Sequence, residues 1–326
     1  MKNTVKSHSI GEMCCRILHN PVFIKETKLR VRNIKFAVTI LVNNLILLTI
    51  AAYGFEVMYH AAWDDYVDYG QVIFVYMALV SLECMMVAFL VPAFTAGSIA
   101  GEREKQTLDI LLTTPMRPGE IVWGKLFASV CMVVLLVISS LPILSLIYTI
   151  GGVSLMEMLQ FVGLIIVAAI YLGSIGVWAS TFIRRTVPAT VFTFGGLVIV
   201  CAVSFVIVGA VYILYYTFGI DFSSGMKVTE GAVDISFILL ILLINPAVSL
   251  IEMLTGQFSG TSLMKLMNEN FSGDYSTGLP NFLLQHWFVI SLIVQIVLAI
   301  LIMKLAAKNL DPIGKKNKKR LLQAAS

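Results

Sequence analysis

The chain has 326 residues, 58% of them hydrophobic and only 13% charged, with a formal net charge of +4. Soluble domains carry roughly 25% charged residues because their surfaces must stay in water. The composition therefore excludes a soluble globular protein and points to one that lives in lipid.

A basic arm occupies residues 1–35. It lacks the pattern of a cleavable signal peptide, because the first apolar run begins only after these mostly polar and basic residues. Cys14 and Cys15 in the arm are expected to bind no metal. With Cys84, Cys131 and Cys201 inside apolar runs, no disulfide framework is implied. In "HNPVFIKETKLRVRNIK", Asn20 stands where a helix cap would, ahead of Pro21 at the first helical position, where a missing amide hydrogen costs nothing. Val22, Phe23, Glu26, Leu29 and Asn33 fall near one face, while Lys25, Lys28, Arg32 and Lys35 supply positive charge elsewhere. The expectation is an amphipathic helix lying on an anionic inner leaflet. A basic flank that merely orients the first span is the alternative.

Apolar runs long enough to cross a hydrocarbon core as helices, about 20 residues each, lie near 36–55, 72–98, 126–150, 158–182, 187–217 and 286–307. The expected fold class is an all-α membrane protein with six transmembrane helices. Its parts are the arm 1–35, one six-span domain over 36–310 and a basic tail 311–326. A seventh apolar run, 235–254, carries Asn245-Pro246 in its middle and Glu252 near its end. With the N-terminus in the cytoplasm, six crossings leave 21 of the 23 Lys and Arg inside, and only Lys227 and Lys265 outside. Basic residues near span ends set orientation, and a seventh crossing would put the tail "KKNKKR" on the wrong side. Residues 235–254 are therefore expected to enter the outer leaflet and return, with Asn245 and Pro246 breaking the helix at the turn. The tail reads as a tether to the inner leaflet rather than a nucleic-acid site.

Within the spans, Glu83 is an ionisable group at a depth where charge is costly. Asn43 and Asn44 lie at a comparable level of span 1, and Gln295 lies in span 6. These four are candidates for a translocation path or a subunit seam; a protonated Glu83 that serves packing is the alternative. Outside, Glu56, Asp64, Asp65 and Asp68 alternate with aromatic residues. They suit an acidic mouth that attracts cations, or follow simply from retention of basic residues inside.

Between spans 2 and 3 stands "GEREKQTLDILLTTPMRPGEIVWGK", residues 101–125, a mixed-charge stretch far longer than a connection needs. Leu108, Leu111 and Leu112 sit at helical spacing, with Glu102, Lys105 and Asp109 toward another face. This predicts an amphipathic helix that continues span 2 over Glu102 to Leu112 and stops at Pro115. Pro118 and Gly119 restart the chain into a second short helix that leads into span 3, with Trp123 at headgroup depth. Mixed charge suits a specific protein contact; a hairpin resting on the bilayer is the alternative.

This stretch resembles the segment between the second and third spans of ABC-2-type transporter permeases, in which a Glu-Arg, a Thr-Leu, a Leu-Leu, a Pro and a late Gly-Lys recur in this order. The arm with Asn20-Pro21, Lys25-Glu26 and Arg32 is similar to the connecting helix of that family. The resemblance implies a cytoplasmic coupling hairpin that docks on an ABC ATP-binding subunit. It also implies a second permease copy or paralogue in a dimer, and export or flipping of a substrate across the cytoplasmic membrane, with both termini cytoplasmic. Glu102, Arg103, Glu104, Thr107, Leu108, Leu111 and Leu112 are the positions it marks for coupling to the ATPase.

No phosphate loop of the form G-x-x-x-x-G-K-[ST] occurs; Gly124-Lys125 is followed by Leu126 and runs into a span. The chain is thus expected to have no catalytic, metal or cofactor site of its own, with ATP and Mg bound by the partner. Two rival functions remain from the residues: a membrane scaffold or regulator that recruits a cytoplasmic protein without transport, and a gradient-driven secondary carrier using Glu83.

Overall fold

A computed structural model describes residues 21–62, 69–108, 116–150, 153–218, 240–259, 282 and 285–310. The expectations resting on Asn20, Cys14, Cys15, Asp109, Leu111, Leu112, Pro115, Asp64, Asp65, Asp68, Lys227, Lys265 and the tail lie outside the described residues. Among those described there is no strand. The helices are α1 (Pro21–Val31), α2 (Ile34–Ala62), α3 (Tyr69–Ala96), α4 (Ala100–Glu104), α5 (Pro118–Ile150), α6 (Leu155–Phe182), α7 (Thr186–Phe218), α8 (Pro246–Ser259) and α9 (Trp287–Leu310).

Six of the described helical stretches are long and apolar enough to cross a membrane: Ile34–His60, Val72–Glu104, Pro118–Thr149, Leu155–Phe182, Thr186–Ala210 and Trp287–Leu310. Each contains or overlaps one expected span. α5 differs in its start: the short helix expected before span 3 and the span itself form one element from Pro118 onward.

Helix α6 is the axis of the bundle. It packs against α3, α5, α7, α8 and α9, and its buried residues run from Phe161 to Thr181 around most of its circumference. Its start is fixed by a capping box, in which the Glu157 amide donates to Ser154 Oγ at 3.3 Å and the Ser154 amide donates to the Glu157 carboxylate at 2.6 Å. Lipid tails are as apolar as leucine, so helices in a bilayer gain contact by close approach at small residues. Gly176 serves this purpose: a Cβ there would collide with the Thr95 side chain and lie 3.3 Å from the Ala96 backbone nitrogen.

Helix α3 is interrupted sooner than the sequence predicts. It carries Pro92, ends at Ala96, and is followed by the five-residue α4. α4 then ends in a Schellman turn rather than running on to Leu112: the Gln106 amide donates to Arg103 C=O at 3.1 Å and the Thr107 amide to Glu102 C=O at 2.9 Å. Gln106 takes the left-handed conformation this turn demands, with φ of 58°. Leu108, 6% exposed, packs back into the core beyond the turn.

Gly176→Val is expected to destabilise the detergent-solubilised protein by about 1–3 kcal/mol, the usual range for overpacking. Thermal unfolding beside Gly163→Val checks this, because a Cβ at Gly163 meets nothing within 4 Å.

Candidate functional site

Among the described residues a dense polar arrangement lies where α1, α4 and α5 meet. Lys125, in the second turn of α5, is completely buried. Its Nζ donates to Glu26 Oε1 at 2.9 Å, to Glu102 Oε1 at 2.8 Å and to Ser98 C=O at 2.9 Å. An ammonium has three hydrogens, and these three acceptors use all of them. They come from α1, from α4 and from the break between α3 and α4. Glu26 is held a second time by Arg30 one turn along α1, whose Nε lies 3.2 Å from Glu26 Oε2. Arg30 Nη1 also donates to Phe94 C=O in the last turn of α3 at 3.3 Å and to Ser129 Oγ on α5 at 3.0 Å.

Burial pushes the Glu26 carboxyl up, but Lys125 and then Arg30 outweigh it and hold Glu26 below its ordinary value of 4.5. A carboxyl lowered in the folded state stabilises the fold when ionised. That contribution is complete above the ordinary value and is lost as pH falls through the lowered one.

The three charged residues of α4 engage three different helices. Glu102 pairs with Lys125 on α5. Arg103 Nη2 donates to Thr181 C=O at 3.0 Å, placing a cation at the C-terminus of α6. Glu104 Oε2 accepts from the Thr186 amide at 3.1 Å and from Thr186 Oγ1 at 2.6 Å, so it caps the N-terminus of α7 from another element. The break before α4 is closed by Ser180 of α6, whose Oγ accepts from the Ile99 and Ala100 amides, both at 2.8 Å. Mixed charge read from the sequence as a face for a partner is here engaged within the chain. Lys105, Gln106 and Thr107 form the exposed turn beyond it.

Among the residues singled out in the spans, Asn43 and Glu83 come together. Asn43 Nδ2 on α2 donates to Glu83 Oε2 on α3 at 3.1 Å, and Ser140 Oγ on α5 donates to Glu83 Oε1 at 2.9 Å. Asn44 Nδ2 reaches Ser139 Oγ at 3.0 Å. Glu83 and Asn43 are buried inside the subunit. Gln295 lies in a separate cluster, donating to Ser249 Oγ of α8 at 2.9 Å, while Ser249 Oγ donates to Ser291 Oγ at 3.0 Å. Asn245 caps α8, its Oδ1 accepting from the Ala247 amide at 2.9 Å with Pro246 at the first helical position, and its Nδ2 donates to Ser204 Oγ of α7 at 2.6 Å.

A family model described as "ABC-2 family transporter protein" matches residues 21–307. The chain belongs to the ABC-2 family of transporter proteins. No curated protein matches it closely. The match begins at the first residue of α1 and ends in the last turns of α9, so this ABC-2 family protein uses α1, and with it Glu26 and Arg30, as part of the family domain. It is a multi-pass membrane protein and a membrane transport component, of a family that works with an ABC ATP-binding subunit.

Lys125, Arg30, Ser180 and Thr186 were not singled out from the sequence. A lysine beside a long apolar run was a usable signal for Lys125, because a cation at that depth must find acceptors. The hydroxyls of Ser180 and Thr186 carried none.

Lys125→Met leaves Glu102 without its cation and Glu26 with Arg30 alone, and is expected to cost about 3–5 kcal/mol, the usual loss on breaking a buried pair. Adding Glu102→Gln to Lys125→Met should recover part of that loss in thermal unfolding. A pH series from about 7 down to about 3 should show stability declining below the ordinary carboxylate pKa, with Glu26→Gln flattening the decline.

Proposed function

We propose that the protein is the permease subunit of an ATP-driven ABC transporter in the cytoplasmic membrane, that it exports or flips its substrate, and that ATP and Mg are bound and hydrolysed on a separate subunit. The observation that carries this reading is α4, whose three consecutive charged residues hold α5, α6 and α7 while the turn after it stays open to water. A push on that turn moves the ends of several spans together. Glu102, Arg103, Glu104 and Leu108 transmit the push and Gln106 and Thr107 receive it; Leu111 and Leu112, outside the described residues, are the further positions marked for coupling.

In this reading both termini and α1 lie on the cytoplasmic side, in accord with the distribution of Lys and Arg. α8 is a re-entrant element: it has 14 residues, about 21 Å at 1.5 Å per residue, short of a hydrocarbon core of about 30 Å. The working unit is a dimer. Val191 and Val198 on α7 are 67% and 65% exposed, which suits a helix whose apolar face meets lipid or a second copy. A cavity of about 540 Å³ between α3, α6, α7 and α8, lined by apolar side chains such as Phe89, Leu164 and Phe205, suits an apolar portion of a substrate.

Gentle purification from native membranes, followed by an ATPase assay, tests the proposal. An ATP-binding protein should accompany the wild type and be lost from Thr107→Arg and Gln106→Arg, both at exposed positions where the fold tolerates a large side chain. Retention in both variants would move the docking site away from the turn. Absence of any ATP-binding protein from the wild type would sink the permease reading.

A further inference from the structure

A second cavity, of about 570 Å³, opens between α1, the first turns of α2 and the α3–α4 junction. Its lining is of two kinds. Lys25 and Arg30 of α1, Lys35 of α2 and Lys105 after α4 are basic; Leu29, Phe36 and Phe94 are among the apolar side chains. Glu26 and Glu102 also line it, but both carboxylates are held by Lys125, a further cation outside the lining. Four cations against two such carboxylates leave the cavity positive. Among the described residues Lys25 and Lys35 form no ion pair, and both are exposed at the rim.

The depth of the cavity is fixed by the chain. Lys35 sits in the first turn of α2, which in the reading above is where that helix enters the hydrocarbon, and Phe36 immediately after it is buried at 8% exposure. Phe94 faces it in the last turn of α3, its ring 6.5 Å from that of Phe36. A ligand here has its charged end among lysines at headgroup level and an apolar part against two aromatic rings. A free anion such as inorganic phosphate fits only the first half of that description.

We propose that the cavity between α1, α2 and the α3–α4 junction is a binding site for one anionic phospholipid, whose phosphate lies among Lys25, Lys35 and Lys105. The occupant fastens α1 to α2 and to the turn after α4, so the same lipid braces the joint built around Lys125. The proposal rests on the reading above only in placing this end of the bundle at a membrane surface.

The test uses the full-length protein in detergent with added dioleoylphosphatidylglycerol, dioleoylphosphatidylcholine or inorganic phosphate, followed by thermal unfolding and by lipid retention in native mass spectrometry. Phosphatidylglycerol should raise Tm by about 5 °C over phosphatidylcholine, as expected for a ligand bound to the native state alone. One molecule should be retained. Lys25→Gln/Lys35→Gln should lose both the shift and the retained lipid, while Lys304→Gln/Lys308→Gln, an exposed basic pair on α9, should keep them. Three results would each overturn the site: equal shifts in Lys25→Gln/Lys35→Gln and wild type, equal loss in the α9 pair, or the full shift with inorganic phosphate alone. None of these readouts requires an ATPase, so failure here is distinct from failure of the permease reading.

Discussion

One buried ammonium sets the terms for the end of the bundle that carries α1. A charge taken out of water is tolerated only when every hydrogen-bonding group on it is matched, and Lys125 meets that condition with donors reaching three separate pieces of backbone and side chain. The match works in both directions. Glu26 stays ionised in a half-buried position because Lys125 and Arg30 are there, and α1 is held against α5 because Glu26 is ionised. The docking of a surface helix thus depends on a residue in a span, and the break in α3 depends on it too, since Ser98 C=O is one of the acceptors.

Around this point the remaining polar groups follow one rule. Where a helix ends or breaks inside the bundle, a side chain from a neighbouring helix takes up the freed backbone group. Ser180 serves the amides before α4, Glu104 the start of α7, Arg103 the end of α6 and Arg30 the end of α3. Deeper in the spans, Glu83 with Asn43 and Ser140 ties α2, α3 and α5 through hydrogen bonds. The Asn245, Ser249 and Gln295 group does the same for α7, α8 and α9. Polar residues in this protein mark the seams between helices, and the apolar core fills the space between seams.

Six spans and the start of α1 at Pro21 were legible because length, hydropathy and proline placement act locally. The alternation of Glu102, Arg103 and Glu104 said only that opposite charges were wanted nearby, and among the described residues each finds a partner in the same chain. The predicted helix from Glu102 to Leu112 did not persist because its stop signal is atypical: the left-handed position that ends α4 is held by Gln106, where glycine is the usual residue. That Gln295 lies apart from Asn43, Asn44 and Glu83 was not legible for a different reason. Depth along a span is readable from sequence, but which spans are neighbours is not, and Gln295 faces α8.

The contrast between Lys125 and the turn after α4 bears on how the protein responds to salt. Mobile ions screen charges that water can reach, over about 8 Å at physiological ionic strength, and act much less on buried pairs. Lys105 stands in water on the exposed turn, whereas Lys125 has no exposed surface. Raising ionic strength therefore weakens whatever the turn holds by charge and leaves the bond between α1, α4 and α5 near full strength. The membrane part can be stripped of an electrostatically held companion without its own helices coming unlatched.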